Sequence, residues 1–155
     1  MRRRLSRRVV HSLSVAVMIL AVGWSAWSAE EAHDMRARGA WIREAPPMSQ
    51  ALAGYMSLQN RGSRGYRLVG VSSTDFGRVM LHETEIRGGV VRMIHRAGVS
   101  IAAGEEAVFA PGGLHLMLMQ PRRVLRAGDR VSVDLVFAGG RRLSVDFEVR
   151  QQPPP

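Results

Sequence analysis

The residues best equipped for chemistry stand together at Leu114-His115-Leu116-Met117-Leu118-Met119. Strict alternation of this kind reads as a β-strand, with His115, Met117 and Met119 on one face and the leucines on the other. His115 and Met117 then lie about 6.5–7 Å apart along the strand, close enough for a ring nitrogen and a flexible thioether to converge on one atom. The leucine face supplies core and leaves the His/Met face without an obvious packing duty. Two further runs, Val79 to Glu85 and Val90 to His95, flank Arg87-Gly88-Gly89 and predict a hairpin. If its turn is Arg87-Gly88, His82 stands directly opposite Met93, about 4.5–5.5 Å away on the same face. If the turn is Gly88-Gly89, His82 faces His95 and Met93 becomes a diagonal neighbour. Either register presents an imidazole and a thioether together.

Two imidazoles with two thioethers make a borderline-to-soft donor set, and thioether sulfur favours Cu(I) over Zn(II), Fe(II) or Mg(II). The chain has no cysteine, which excludes a disulfide framework, a thiolate metal site and a thiol nucleophile. Any soft-metal chemistry must use methionine, of which there are nine. A site without thiolate holds Cu(I) yet yields it to a cysteine-bearing acceptor. That is transfer chemistry, since a blue-copper electron-transfer centre requires the missing cysteine.

The elements that must position these donors are short and alternating. Besides the strand and hairpin above, strands are expected from Gly39 to Arg43, Leu52 to Gln59, Tyr66 to Ser72 and Glu106 to Phe109. They are separated by Pro46-Pro47, Asn60-Arg61-Gly62, Pro111-Gly112-Gly113 and Ala127-Gly128-Asp129. The clearest hairpin is C-terminal. There Val131, Val133, Leu135 and Phe137 alternate with Ser132, Asp134 and Val136, Gly139-Gly140 turns the chain, and Leu143, Val145, Phe147 and Val149 alternate with Ser144, Asp146 and Glu148 in return. Seven to nine short strands at this spacing predict an all-β Greek-key sandwich or barrel, with no window periodic enough for a substantial helix.

Ahead of this domain, Met1-Arg2-Arg3-Arg4-Leu5-Ser6-Arg7-Arg8 and the apolar stretch from Leu13 to Ala26 follow signal-peptide grammar. Residues 1–28 are expected to be a cleaved signal, 29–150 the folded domain and 151–155 a disordered tail. An uncleaved membrane anchor is the alternative, disfavoured by His11, Ser12 and Ser14, and Ser6-Arg7-Arg8 only faintly resembles a twin-arginine signal. Without the leader's five arginines the formal charge falls from +9 to +4, and the other arginines are scattered. With no basic helix and no aromatic interleaving, a nucleic-acid partner is not expected.

The spacing of the donors also carries a resemblance. His82, ten residues, Met93, twenty-one residues and then His115-Leu116-Met117 is similar to the signature of the PCuAC family of exported copper chaperones. Ala40-Trp41-Ile42-Arg43, Pro46-Pro47-Met48, Ala53-Gly54-Tyr55-Met56, Leu81-His82-Glu83-Thr84 and Pro111-Gly112-Gly113-Leu114 also look like the family, which the chain resembles from about residue 37 to 149. The resemblance implies a cupredoxin-like β-sandwich binding one Cu(I) through His82, Met93, His115 and Met117 in the periplasm. It further implies delivery of copper to the dinuclear copper centre of a terminal cytochrome oxidase, directly or through a thiol-bearing partner chaperone. Some relatives carry a His- and Met-rich tail for Cu(II); Gln151-Gln152-Pro153-Pro154-Pro155 has neither residue type.

Plainer readings apply residue by residue. A methionine in a β-domain is usually packing, so Met56 and Met80 are assigned to the core and Met119 to packing beside the site. His95 rivals Met93 or His82, depending on register. His33 is expected to be solvated, His11 to leave with the leader, and Trp41 to be a core aromatic. Glu83 and Glu85 lack an accompanying nucleophile, oxyanion loop or phosphate cradle, and are taken as surface carboxylates. The expectation is therefore a monomeric binding and transfer protein with no small-molecule substrate, and not an enzyme. The competing readings are an exported interaction module without metal and a mononuclear copper enzyme.

Overall fold

The computed structural model describes residues 34–154, so the leader, its cleavage region, His11 and His33 lie outside the described residues. The described chain is all β. Ten strands form one continuous order: β1 (Met35–Arg43), β2 (Ala51–Asn60), β3 (Tyr66–Ser72), β4 (Phe76–Arg87), β5 (Val90–His95), β6 (Val99–Ile101), β7 (Glu106–Phe109), β8 (Leu114–Pro121), β9 (Arg130–Phe137) and β10 (Arg142–Arg150). Their spatial order is β5-β4-β8-β7-β2-β1-β10-β9-β3-β6, with β8 also pairing β2. The strands enclose a single apolar core, to which Leu52, Leu116 and Leu118 contribute from one half and Leu68, Leu135 and Phe147 from the other. This all-β architecture agrees with the strand-only reading of the alternation.

Ten strands stand where seven to nine were expected, and several extend beyond their expected bounds, β4 for example running from Phe76 to Arg87 where Val79 to Glu85 was expected. The short β6 was not expected, because Val99 and Ile101 around one serine are too brief to display a period. β1 begins four residues before Gly39, where arginines interrupt the apolar signal and backbone pairing with β2 sustains the strand. Its register slips between Arg38 and Trp41, across Gly39 at φ +56°. Trp41 is buried and packs on Tyr55 with ring centroids 4.9 Å apart, as expected of a core aromatic. Beyond β10, residues 151–154 form no strand, and Pro154 lies beside Gly39.

One buried polar residue ties the far end together. Asn60 donates through Nδ2 to the carbonyls of Arg64, Ile101 and Ala102, and its side-chain oxygen accepts from the Gly62 amide. With its hydrogen bonds made, it carries little of the penalty of a buried amide.

Candidate metal centre

β8 separates its two faces as its alternation requires. Leu116 and Leu118 are fully buried in the core, while Met117 and Met119 are half-buried on the other face. β4 repeats the division, with Leu81 in the core and Met80, His82 and Thr84 on the face shared with Met117. The antiparallel register sets His82 directly opposite His115 and Met80 directly opposite Met117. The rings of His82 and His115 have centroids 6.0 Å apart.

The edge hairpin adopts the second of the two registers considered. Arg87 pairs with Val90 around Gly88-Gly89, whose φ angles of +58° and +77° suit a two-residue turn open to glycine. His82 therefore faces His95, with ring centroids 5.7 Å apart, and Met93 faces Thr84. Met93 is the diagonal neighbour of His82, at a backbone spacing of about 7–8 Å, and its side chain is 62% exposed. Four expected donors thus share one face of three adjacent strands. His82 and His115 are opposed, Met117 lies diagonal to His82 along β8, and Met93 lies diagonal to it along β5.

Local hydrogen bonding prepares one ring. His115, only 6% exposed, places Nδ1 3.0 Å from the Gly113 carbonyl. With Nδ1–H donating to that oxygen, the lone pair is left on Nε2, the arrangement common in histidines that ligate metals. The His/Met face of β8, which the alternation leaves without an obvious packing duty, is thus covered at His115. His82 is half-buried, and its Nδ1 is enclosed without a hydrogen-bond partner. Burial, and then the like charge of His115 and His95, lowers its pKa below the ordinary imidazole value. A neutral ring with an unsatisfied nitrogen is a ready electron-pair donor.

Neighbouring residues divide by face. Met80, assigned to the core by the sequence reading, lies instead on the His82 face opposite Met117, because core residues Val79 and Leu81 flank it in alternation. Its place two residues before His82 was the overlooked signal. Met56 is buried as expected. Met119 sits between Arg78 and Ala51 of the adjacent strands, four residues and about 13 Å from the histidine row. Glu83 and Glu85 project to the face opposite His82 and are half-buried rather than fully exposed, where Arg96 pairs with both. Among the described residues, no three His, Cys, Asp or Glu side chains converge into a cage, so nitrogen and oxygen donors alone do not complete a preformed site.

Comparison with known proteins places this arrangement in a family. The LpqE-like family model, named for a lipoprotein, matches residues 35–149. Protein Lxx21020 of Leifsonia xyli subsp. xyli is 33% identical over 122 residues, covering 78% of this chain and 72% of the relative. The copper-bound PCuAC domain from PmoF2 superposes with a TM-score of 0.64 at 23% identity, over 77% of this chain and 94% of that one. The Cu(I) form of DR1885 from Deinococcus radiodurans, in solution, gives a TM-score of 0.55 at 28% identity, over 74% of this chain and 76% of that one. The chain belongs to the LpqE-like family, which is the PCuAC family, and it shares that family's cupredoxin-like fold.

Proposed function

We propose that this protein is an exported, periplasmic copper chaperone that carries one Cu(I) on the β5-β4-β8 face, with His82, Met93, His115 and Met117 as ligands. The carrying observation is the opposed pair His82 and His115, the second ring turned by the Gly113 carbonyl, on a face where thioethers rather than thiolates are the neighbouring soft donors. Copper is the cargo here and not a resident catalytic group. The donor set fits a soft, closed-shell ion that tolerates low coordination numbers, and the exposure of Met93 gives an acceptor a side from which to compete. The protein acts as a monomer by binding and transfer rather than as an enzyme. Its acceptor is the copper-site subunit of a terminal cytochrome oxidase or a thiol-bearing partner chaperone. The family's lipoprotein name and the arginine-rich leader sequence support export. Among the described residues, no helix is long and apolar enough to cross a membrane.

Titration of Cu(I) against a competing chelator tests this reading: one equivalent bound tightly is expected, and none bound would refute it. Replacing Met93 and Met117 together by histidine is expected to tighten Cu(II) relative to Cu(I). A double variant that keeps the Cu(I) preference would remove both sulfur atoms from the site.

A further inference from the structure

Every histidine among the described residues stands in one row across three neighbouring strands: His95 on β5, His82 on β4 and His115 on β8. His82 occupies the middle. Its ring lies 5.7 Å from that of His95 and 6.0 Å from that of His115, edge-on to each. Core packing does not demand this row, since the core is made by the alternate residues of β4 and β8, and β5 is the exposed edge of the sheet. The Cu(I) site uses His82 and His115 with Met93 and Met117, which leaves His95 without a role.

We propose that His95 is a third imidazole donor, and that His82, His95 and His115 together hold Cu(II) on the face where the thioethers favour Cu(I). This inference rests on reading that face as a copper site. Cu(II) prefers nitrogen donors in tetragonal arrays and gains little from thioether sulfur, whereas Cu(I) does the reverse. β5 carries one donor of each kind, Met93 and His95, two residues apart and so on the same face of the strand. Exchanging them requires only side-chain rotation on an exposed edge strand. The two rings next to them stay where β4 and β8 hold them. The row is not closed in advance, because no such cluster converges among the described residues. Cu(II) must draw the exposed ring of His95 inward, and the enclosed, unpartnered Nδ1 of His82 gives the middle ring an unmet bonding capacity.

The test is paired titration of the full copper-free protein with Cu(I) and Cu(II) against competing chelators, with electron paramagnetic resonance of the Cu(II) form. Wild type, His95→Ala and Met93→Ala are compared, with circular dichroism confirming that each is folded. Wild type is expected to bind one Cu(II) with splitting from three imidazole nitrogens. His95→Ala should lose Cu(II) affinity by about tenfold or more, show two nitrogens, and keep Cu(I) affinity within about threefold. Met93→Ala should show the opposite pattern, weakening Cu(I) and sparing Cu(II). Unchanged Cu(II) binding in His95→Ala, or equal losses of both ions, would overturn the inference. Cu(I) binding without Cu(II) binding in wild type would sink the inference alone, whereas binding of neither ion would sink the copper reading beneath it.

Discussion

Two hairpins of this molecule turn on adjacent glycines with positive φ, yet they serve opposite purposes. In β9–β10, Gly139 and Gly140 at φ +85° and +84° close a pair of strands whose inward residues Val131, Val133, Leu135, Phe137, Val145, Phe147 and Val149 are all buried. In β4–β5, Gly88 and Gly89 close a pair at the sheet edge, and Ile86, Val90, Val91 and Met93 stay exposed. One hairpin uses its faces to build the core. The other lies at the sheet edge and presents the candidate donors His82, Met93 and His95 on one face.

The contrast explains what could be read from sequence. A buried face fixes register, because a slip of one residue would turn the whole apolar set to solvent. The C-terminal hairpin and its buried face were therefore legible, and the structure adds the partners, Leu135 opposite Leu143 and Val131 opposite Phe147. The edge hairpin gives no such constraint. Val90 and Val91 are adjacent and both exposed, so they favour neither face, and the choice between His95 and Met93 opposite His82 had to wait for the structure. The β8 face division was readable because its leucines are core. Met80 was misassigned because a lone methionine signals packing unless the neighbouring strand is known. The contact of His115 Nδ1 with the Gly113 carbonyl depends on ring orientation, which no spacing encodes.

The largest expected effect separates the hairpins by stability. Phe147→Ala should destabilise the fold by about 3–5 kcal/mol, as for other buried aromatics, whereas Met93→Ala should change it by no more than about 0.5 kcal/mol. Urea unfolding of the two variants measures the difference. A similar loss in both would mean that the edge hairpin is also core.

Metal affinity should reverse that order. His82→Ala and His115→Ala are expected to weaken Cu(I) binding by about tenfold or more, while a mild Phe147→Leu change leaves affinity near wild type. For His115 a stability loss of about 0.5–1.5 kcal/mol should accompany the change, since its bond to the Gly113 carbonyl disappears. Chelator competition and unfolding curves on the same samples distinguish the two effects. Wild-type affinity in both histidine variants would contradict the assignment.

Next come the turns. Gly89→Ala and Gly140→Ala each place a side chain in the left-handed region, at about 1–2 kcal/mol. The second should lower global stability by that amount. The first should appear mainly as faster amide exchange in β5 and weaker Cu(I) binding, because the edge hairpin can open locally without unfolding the core. Hydrogen exchange resolved by strand checks this, and equal global losses would erase the distinction.

The smallest effect is that of pH. The pKa of His82 is lowered by burial and by its imidazole neighbours. Its contribution to apo stability is therefore fully present above the unfolded value near ~6.5 and is lost as pH falls through the lower folded value. Cu(I) affinity should be flat above about pH 7 and decline below about pH 6 as protons compete for imidazole, without vanishing, because Met93 and Met117 carry no proton. His82→Ala should flatten the stability profile in this window, and an unchanged slope in that variant would assign the effect to another group.

The central claim is that both nitrogen and sulfur hold the ion, and X-ray absorption at the copper edge of the Cu(I)-loaded protein tests it most directly. The account predicts a single copper with imidazole nitrogen and thioether sulfur in its inner shell, the sulfur contribution falling when Met93 and Met117 are both replaced. A shell of nitrogen or oxygen alone in the wild-type protein would contradict it.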